Sequence, residues 1–412
     1  MKYLKVLAVI AVFSILTAFF SESFFVHEAE ITPPVKEESD SEKEQISESV
    51  KDYSRFATGA PLSNGINVSA RSAILCTADG AVIFEKNSFV TLPMASITKV
   101  MSVIVALENT DDLFRTVTVP EDAVGIEGSS VYLTVGEQVT VEMLIYSAML
   151  ESANDAVTAL AIITAGSEAK FVDMMNEKAR ELSMTGTNFC NPHGLNESEH
   201  FTTARDYAVL MSYALENETF CKVIATKKAA FQKTDGSMTR VLTNHNRLLN
   251  TFQGMIGGKT GFTKASGRTL VTAAKRGGTT LICVTIDAPN DWKDHTELFE
   301  LGFDTVKTVS FGNELTAQVP VAAGQSESVA VRLQRPISFT VKANETVTYA
   351  LKLPHMLFAP VKKGEKVGTA EFYKDGVMLA EIPLITEDIV SAPKNTNENK
   401  GFLDKLFGVF GQ

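Results

Sequence analysis

Pro93-Met94-Ala95-Ser96-Ile97-Thr98-Lys99 runs directly into Val100, Met101, Val103, Ile104, Val105 and Leu107, and this stretch decides how the rest is read. Apolar side chains fall on nearly every face of a helix drawn through it, so the helix has no solvent side and is expected in the middle of a domain. Such a helix needs neighbours. Helical periodicity supplies them at 141–163, 168–182 and 204–215, the last opened by Thr202 and Thr203 ahead of Arg205-Asp206.

Outward from this block the text is strand-like on both sides. Ala73-Ile74-Leu75-Cys76, a turn at Ala78-Asp79-Gly80 and Ala81-Val82-Ile83-Phe84 read as an N-terminal hairpin. Strands return around Lys259, at 269–275 and at 280–286, the last two joined by Arg276-Gly277-Gly278. Early and late strands around a helical middle predict an α/β (α+β) domain, a helical block packed on an antiparallel sheet that uses both ends of the segment. Short β-type runs at 328–333, 338–341, 346–353 and 368–373, and Asp375-Gly376 ahead of 377–384, predict a small C-terminal all-β domain.

With 412 residues, 45% of them hydrophobic, the chain can bury a full core in two or three domains. Its net charge of -11 gives no basic footprint for nucleic acid, and an anionic ligand must be held by a few local cations. Lys2 and Lys5 before an apolar run to Phe20 form the pattern of a secretory signal, which predicts export. An acidic, Ser-rich stretch follows as a solvated tether, and a polar linker and amphipathic tail close the chain. In the tail Phe402, Leu403, Leu406, Phe407, Val409 and Phe410 recur at helical spacing, which predicts contact with a membrane surface. The expected boundaries are 1–25 signal, 26–62 linker, 63–305 catalytic domain, 306–390 β domain and 391–412 linker and tail.

Ser96 and Lys99 stand one helical turn apart on one face, which lets the lysine amine reach the serine oxygen. Alone the pair has a bland alternative, a capping serine and a solvated lysine. Two further elements change the odds: Ser152-Ala153-Asn154, in a break between helices, and Lys259-Thr260-Gly261, after Gly257-Gly258 at a strand start. Together, in this order, they form the S-x-x-K, S-x-N and K-T-G set of penicillin-binding proteins and class A β-lactamases. Histidines 193, 200 and 295 lack metal-ligand spacing, and no metal or cofactor is expected. The four scattered cysteines define no framework and leave a Cys190–Cys221 pairing open. Glu151 and Asp155, flanking S-x-N, read as solvated or capping carboxylates.

Beyond these motifs, Asn191-Pro192-His193-Gly194-Leu195, Thr203-Ala204-Arg205-Asp206, Asn244-His245-Asn246-Arg247-Leu248-Leu249 and Gly257 through Thr263 look like one family in particular. The chain resembles the low-molecular-mass D-alanyl-D-alanine carboxypeptidases from residue 66 to about 384, with the β-lactamase/transpeptidase-like catalytic fold this implies. The resemblance makes Ser96 the nucleophile, Lys99 its proton acceptor and Ser152 a relay to the departing amine. Asn154 is then expected on the substrate backbone, Lys259 and Thr260 on its terminal carboxylate, and the N–H groups of Ser96 and Phe262, beside Gly261, on the oxyanion. The implied partners are peptidoglycan stem peptides ending in D-Ala-D-Ala, and β-lactams as covalent inhibitors. A serine β-lactamase, a D,D-transpeptidase and a non-enzymatic wall-binding scaffold are the alternatives; residues 188–195 contain no deacylating glutamate, which argues against the first.

Overall fold

The computed structural model describes residues 66–392 apart from 234, 235, 237 and 238; the signal-like segment, the tether and the tail lie outside the described residues. Strands β1 (Ser72–Thr77) and β2 (Val82–Lys86) form the N-terminal hairpin. Helices α1 (Lys99–Glu108), α2 (Val141–Leu150), α3 (Asn154–Ala165), α4 (Glu168–Glu181), α5 (Ala204–Ala214) and α6 (Glu218–Ala225) make the helical block. A hairpin of β3 (Lys228–Gln232) and β4 (Thr239–Thr243) follows, then β5 (Met255–Thr263), β6 (Gly267–Arg276), β7 (Thr279–Ile286) and helix α7 (Asp291–Thr305).

The catalytic sheet is antiparallel in the order β2-β1-β7-β6-β5, and the register Ser72↔Ile286 closes the first strand on the last. Alternation along β1 divides two cores. Ile74 and Cys76 point toward the helical block, while Ala73 and Leu75 face Leu298 and Phe299 of α7. Covering both faces explains why β1 is buried at every residue, in contrast to an antiparallel sheet with one wet face. Helix α1 contacts α2, α3, α4, α5 and α6, so its all-round apolar surface is buried, as its sequence requires. Side-chain caps set the helix starts: Thr140 accepts from Met143 N (3.1 Å), Ser167 from Lys170 N (3.3 Å) and Thr203 from Asp206 N (3.0 Å).

The C-terminal region comprises β8 (Val306–Phe311), β9 (Thr316–Ala322), β10 (Ser328–Leu333), β11 (Ile337–Lys342), β12 (Thr348–Lys352), β13 (Lys366–Lys374) and β14 (Val377–Thr386). β8 pairs with β11. The others form a sheet in the order β12-β13-β14-β10-β9, with residues Leu357–Phe358 added parallel to β9 at its edge. Asp375 and Gly376 take φ of 50° and 78° between β13 and β14, the double left-handed turn their sequence predicts. Two small apolar clusters, one around Phe372 and Leu384 and one around Val331 and Val361, stabilise this region apart from the catalytic cores.

Four local features depart from the sequence expectations. The hairpin β3–β4 is not among the sequence expectations, since its strands are five residues each and only alternately covered; Arg240 clamps it by pairing with Glu137 (Nη2–Oε2 3.0 Å). Lys259 lies mid-strand, since β5 begins at Met255 and takes Gly257 and Gly258 into the ladder. Asp155 is buried at 2% exposure and accepts from Ser130 Oγ (2.6 Å), Val131 N (3.2 Å) and Leu133 N (3.0 Å), so it anchors a loop rather than meeting solvent. Glu151, half-buried, accepts from Thr243 N and lies 3.3 Å from His245 Nε2, so it ties β4 to the end of α2. Cys76, Cys190, Cys221 and Cys283 are all free thiols.

Candidate active site

Ser96 sits in a 3₁₀ turn (Ala95–Thr98) that precedes α1, so α1 itself begins at Lys99. Three residues per turn place positions i and i+3 one above the other, and Lys99 Nζ lies 3.1 Å from Ser96 Oγ. Lys99 Nζ also donates to Asn154 Oδ1 (2.7 Å) and to the carbonyl of His193 (2.7 Å). These two acceptors are fixed from behind. Asn154 Nδ2 donates to Glu127 O (2.5 Å), which sets which end of the amide faces the lysine, and Asn191 Oδ1 accepts from Gly194 N (2.7 Å) to hold the turn that presents His193 O. Gly194, at φ 90°, permits that turn to press on Ala95: a Cβ there would lie 2.0 Å from Ala95 O.

Lys259 Nζ donates to Ser152 Oγ (3.0 Å) and to Thr260 O (2.7 Å). Ser152 occupies the break between α2 and α3 at φ 59°, and Ala95 and Tyr132 have φ of 50° and 56°. Left-handed non-glycine residues cost about 1–3 kcal/mol each and gather where geometry outranks stability. Both lysines are buried, which disfavours their charged forms. Burial, then the nearby Lys259 charge, holds Lys99 well below the ordinary lysine range, with Asp155 opposing; burial lowers Lys259 from 10.5 to about 7.

In front of the lysines lies a cavity of about 400 Å³ walled by Ser96, Ser152, Thr260, Gly261 and Phe262, with Arg247, Arg268 and Trp292 on a further side. β5 approaches Ser96 so closely at Gly261 that a Cβ there would lie 2.9 Å from Ser96 N. The motif residues therefore converge. Lys99, Asn154 and Lys259 stand behind the wall, whereas the serines, Thr260 and Phe262 reach the open space. Asn154 faces Lys99 with one end of its amide and Glu127 with the other.

The cationic and aromatic wall carries no expectation from the motifs. Arg268 is opposite Phe262 in the ladder, pairs with buried Asp291 (3.0 Å) and stacks 5.7 Å from the Trp292 ring, with Arg247 at 5.9 Å. The one sequence signal for it is the family resemblance of residues 244–249, which contain Arg247. The histidines take structural places. Burial keeps the imidazoles of His193 and His200 neutral at pH 7, at about 3 and about 4; His200 is bonded to Thr98 Oγ1 (2.8 Å) and His295 to Thr272 (2.8 Å) and Thr285 (3.0 Å).

Residues 56–290, more than half of the chain, match the family described as D-alanyl-D-alanine carboxypeptidase. The chain belongs to the D-alanyl-D-alanine carboxypeptidase family. Residues 303–392 match the C-terminal domain of penicillin-binding protein 5. Among curated relatives, the D-alanyl-D-alanine carboxypeptidase DacF of Bacillus subtilis is 32% identical over 356 residues, covering 83% of this chain and 89% of its own. Among solved structures, penicillin-binding protein 5 from Haemophilus influenzae superposes with a TM-score of 0.61 at 25% identity, over 80% of this chain and 99% of the other. The Streptomyces K15 DD-transpeptidase gives 0.56 at 29% identity, over 58% and 99%. This carboxypeptidase is thus a hydrolase, a serine-type D-Ala-D-Ala peptidase with an appended β domain. Acylation and sensitivity to β-lactams are general in its family.

Proposed function

We propose that Ser96 is the acylated residue and Lys99 its base. The observation that carries this is the set of three partners around Lys99 Nζ. As a neutral amine Lys99 has two N–H groups and one lone pair. The fixed carbonyls of Asn154 and His193 take the two N–H groups, which leaves the lone pair for the Ser96 hydroxyl. Burial and Lys259 favour that neutral state.

In this reading Ser96 Oγ attacks the carbonyl between the last two D-alanines while its proton passes to Lys99. The oxyanion sits toward the backbone N–H groups of Ser96 and Phe262, in the gap that Gly261 keeps open. The C–N bond breaks, and the departing D-Ala amine takes a proton through Ser152, whose oxygen already accepts from Lys259 and whose hydroxyl is left to donate. Water then cleaves the acyl ester, releasing the shortened stem peptide. Thr260 reads the terminal carboxylate, with Lys259 behind it and the Arg268 guanidinium on the same wall.

The test is labelling with a fluorescent penicillin. The native chain is expected to label at Ser96, and Ser96→Ala to lose both labelling and D-Ala release. Lys99→Ala should acylate slower by a factor on the order of 100. Labelling of Ser96→Ala at another serine overturns the assignment.

We further propose that the enzyme works outside the cytoplasm, exported by its N-terminal segment and held at the outer membrane face by the tail, in wall synthesis that affects cell shape. The apolar run behind Lys2 and Lys5 and the tail's apolar spacing support this. Among the described residues no helix is long and apolar enough to cross a membrane.

A further inference from the structure

The β region has two unlike ends. At one, Ala343 N donates to Thr305 O (2.9 Å) and Thr340 Oγ1 to Asp79 Oδ2 (3.0 Å), joining it to the catalytic domain. The Lys374–Glu345 pair (3.2 Å) brings the β13–β14 turn to this same end. β13 and β14 run away from that turn for nine and ten residues, roughly 30 Å at strand rise. At the far end Val390 and Val361 exchange backbone hydrogen bonds (2.9 and 3.0 Å), and Ser391 O accepts from Gln325 N (2.9 Å). The described chain stops there, at residue 392.

Around this exit large apolar side chains stand exposed. Phe358, on the edge strand opposite Ala322, is 75% exposed; Ile389, next to Val390, is 69% exposed and Met356 48%. Lys362 and Lys363 are exposed one and two residues past Val361 and, among the described residues, form no ion pair. Of the acidic neighbours, Glu387 pairs with Arg332 (3.6 Å) and Glu365 accepts from Lys362 N (3.0 Å), while Asp388, beside Ile389, is exposed and is outnumbered by the two lysines.

We propose that this far end is a membrane-contact surface of its own, in which Phe358, Ile389 and Met356 enter the interface and Lys362 and Lys363 meet anionic headgroups. The position of the exit argues for lipid. Residues 393–400 carry no large apolar side chain and 402–410 are Phe-rich; eight residues reach at most about 3.3–3.6 Å each. A tail lying in the interface therefore keeps this end within roughly 30 Å of the bilayer. Flanking lysines suit an anionic surface, and three scattered side chains fall short of the roughly 1,000 Å² that a stable dimer buries. The proposal rests on the tail-anchor reading for that proximity.

Hydrogen exchange of the full chain, free and on phosphatidylglycerol–phosphatidylethanolamine vesicles, tests it. Segments 355–363 and 387–391 are expected to exchange at least about tenfold slower on vesicles, while 375–379 at the other end, also apolar and exposed, does not change. Phe358→Ser with Ile389→Ser should lower vesicle partition about tenfold and remove the protection, with penicillin labelling unaltered. Vesicle-bound chain without protection of these segments overturns the proposal, as does absence of any vesicle binding. Protection present without vesicles overturns it too: loss of that protection in a chain ending at Asn399 assigns the cover to the tail, and dependence on protein concentration assigns it to a second copy. If the chain ending at Asn399 binds and protects as well as the full chain, the anchor reading fails while this surface stands.

Discussion

Lys99 and Lys259 are two buried lysines whose surroundings favour the neutral amine, the state that the proposed base requires. Each is desolvated, and for Lys99 the nearby Lys259 charge adds to the effect of burial. Because burial lowers Lys259 to about 7 from 10.5, the folded chain binds fewer protons than the unfolded chain between those values. Stability contributed by this group therefore rises with pH through that window and is lost as pH falls toward 7. For activity the sign is the same: acylation should rise with pH as Lys99 loses its proton. Lys259→Met removes the second-largest influence on Lys99, so the acid limb of the acylation profile is expected to move to higher pH. The rate at pH 7 should fall roughly 10- to 100-fold. Penicillin acylation measured across pH for both chains checks this, and an unmoved limb shows that the lysines do not sense each other.

At the scale of elements, the site depends on how closely β5 can lie against the 3₁₀ turn. Gly261 decides that distance. A methyl group at 261 would stand 2.4 Å from Thr269 Oγ1 and 2.9 Å from Ser96 N, so one of the two elements must retreat. Gly261→Ala should cut acylation by about 10², the usual cost of losing an oxyanion donor. Adding Thr269→Ala clears the nearer contact only, and acylation is expected to stay low. Recovery of labelling in the double variant, read by stopped-flow acylation, would place the damage at Thr269 instead.

For the molecule as a whole, the catalytic and β cores are separate clusters. Val306, first residue of β8, packs with Leu298 and Phe299 in the catalytic core, while Thr308 N on Thr279 Oγ1 (2.8 Å) and the Ala343 and Thr340 bonds make the junction. Since the site draws nothing from residues beyond 292, a chain ending at Lys307 should fold and acylate within about twofold of the full chain. Thermal unfolding and penicillin labelling of that chain check this; loss of both would show that the β domain is needed for the catalytic fold.

The buried helix after Ser96, the strand–helix–strand order, the turn at Asp375-Gly376 and the three-part motif are all local in sequence, because periodicity and short spacings carry them. Tertiary structure alone decided the rest. That Asn154 faces Lys99, that a carbonyl at 193 completes the lysine's partners, that Asp155 is buried on a loop 22 to 25 residues away and that Arg247, Arg268 and Trp292 share one wall all depend on distances between segments far apart in the chain. The acidity of the two lysines belongs to this second class, since desolvation and charge–charge repulsion exist only once the elements have closed around them.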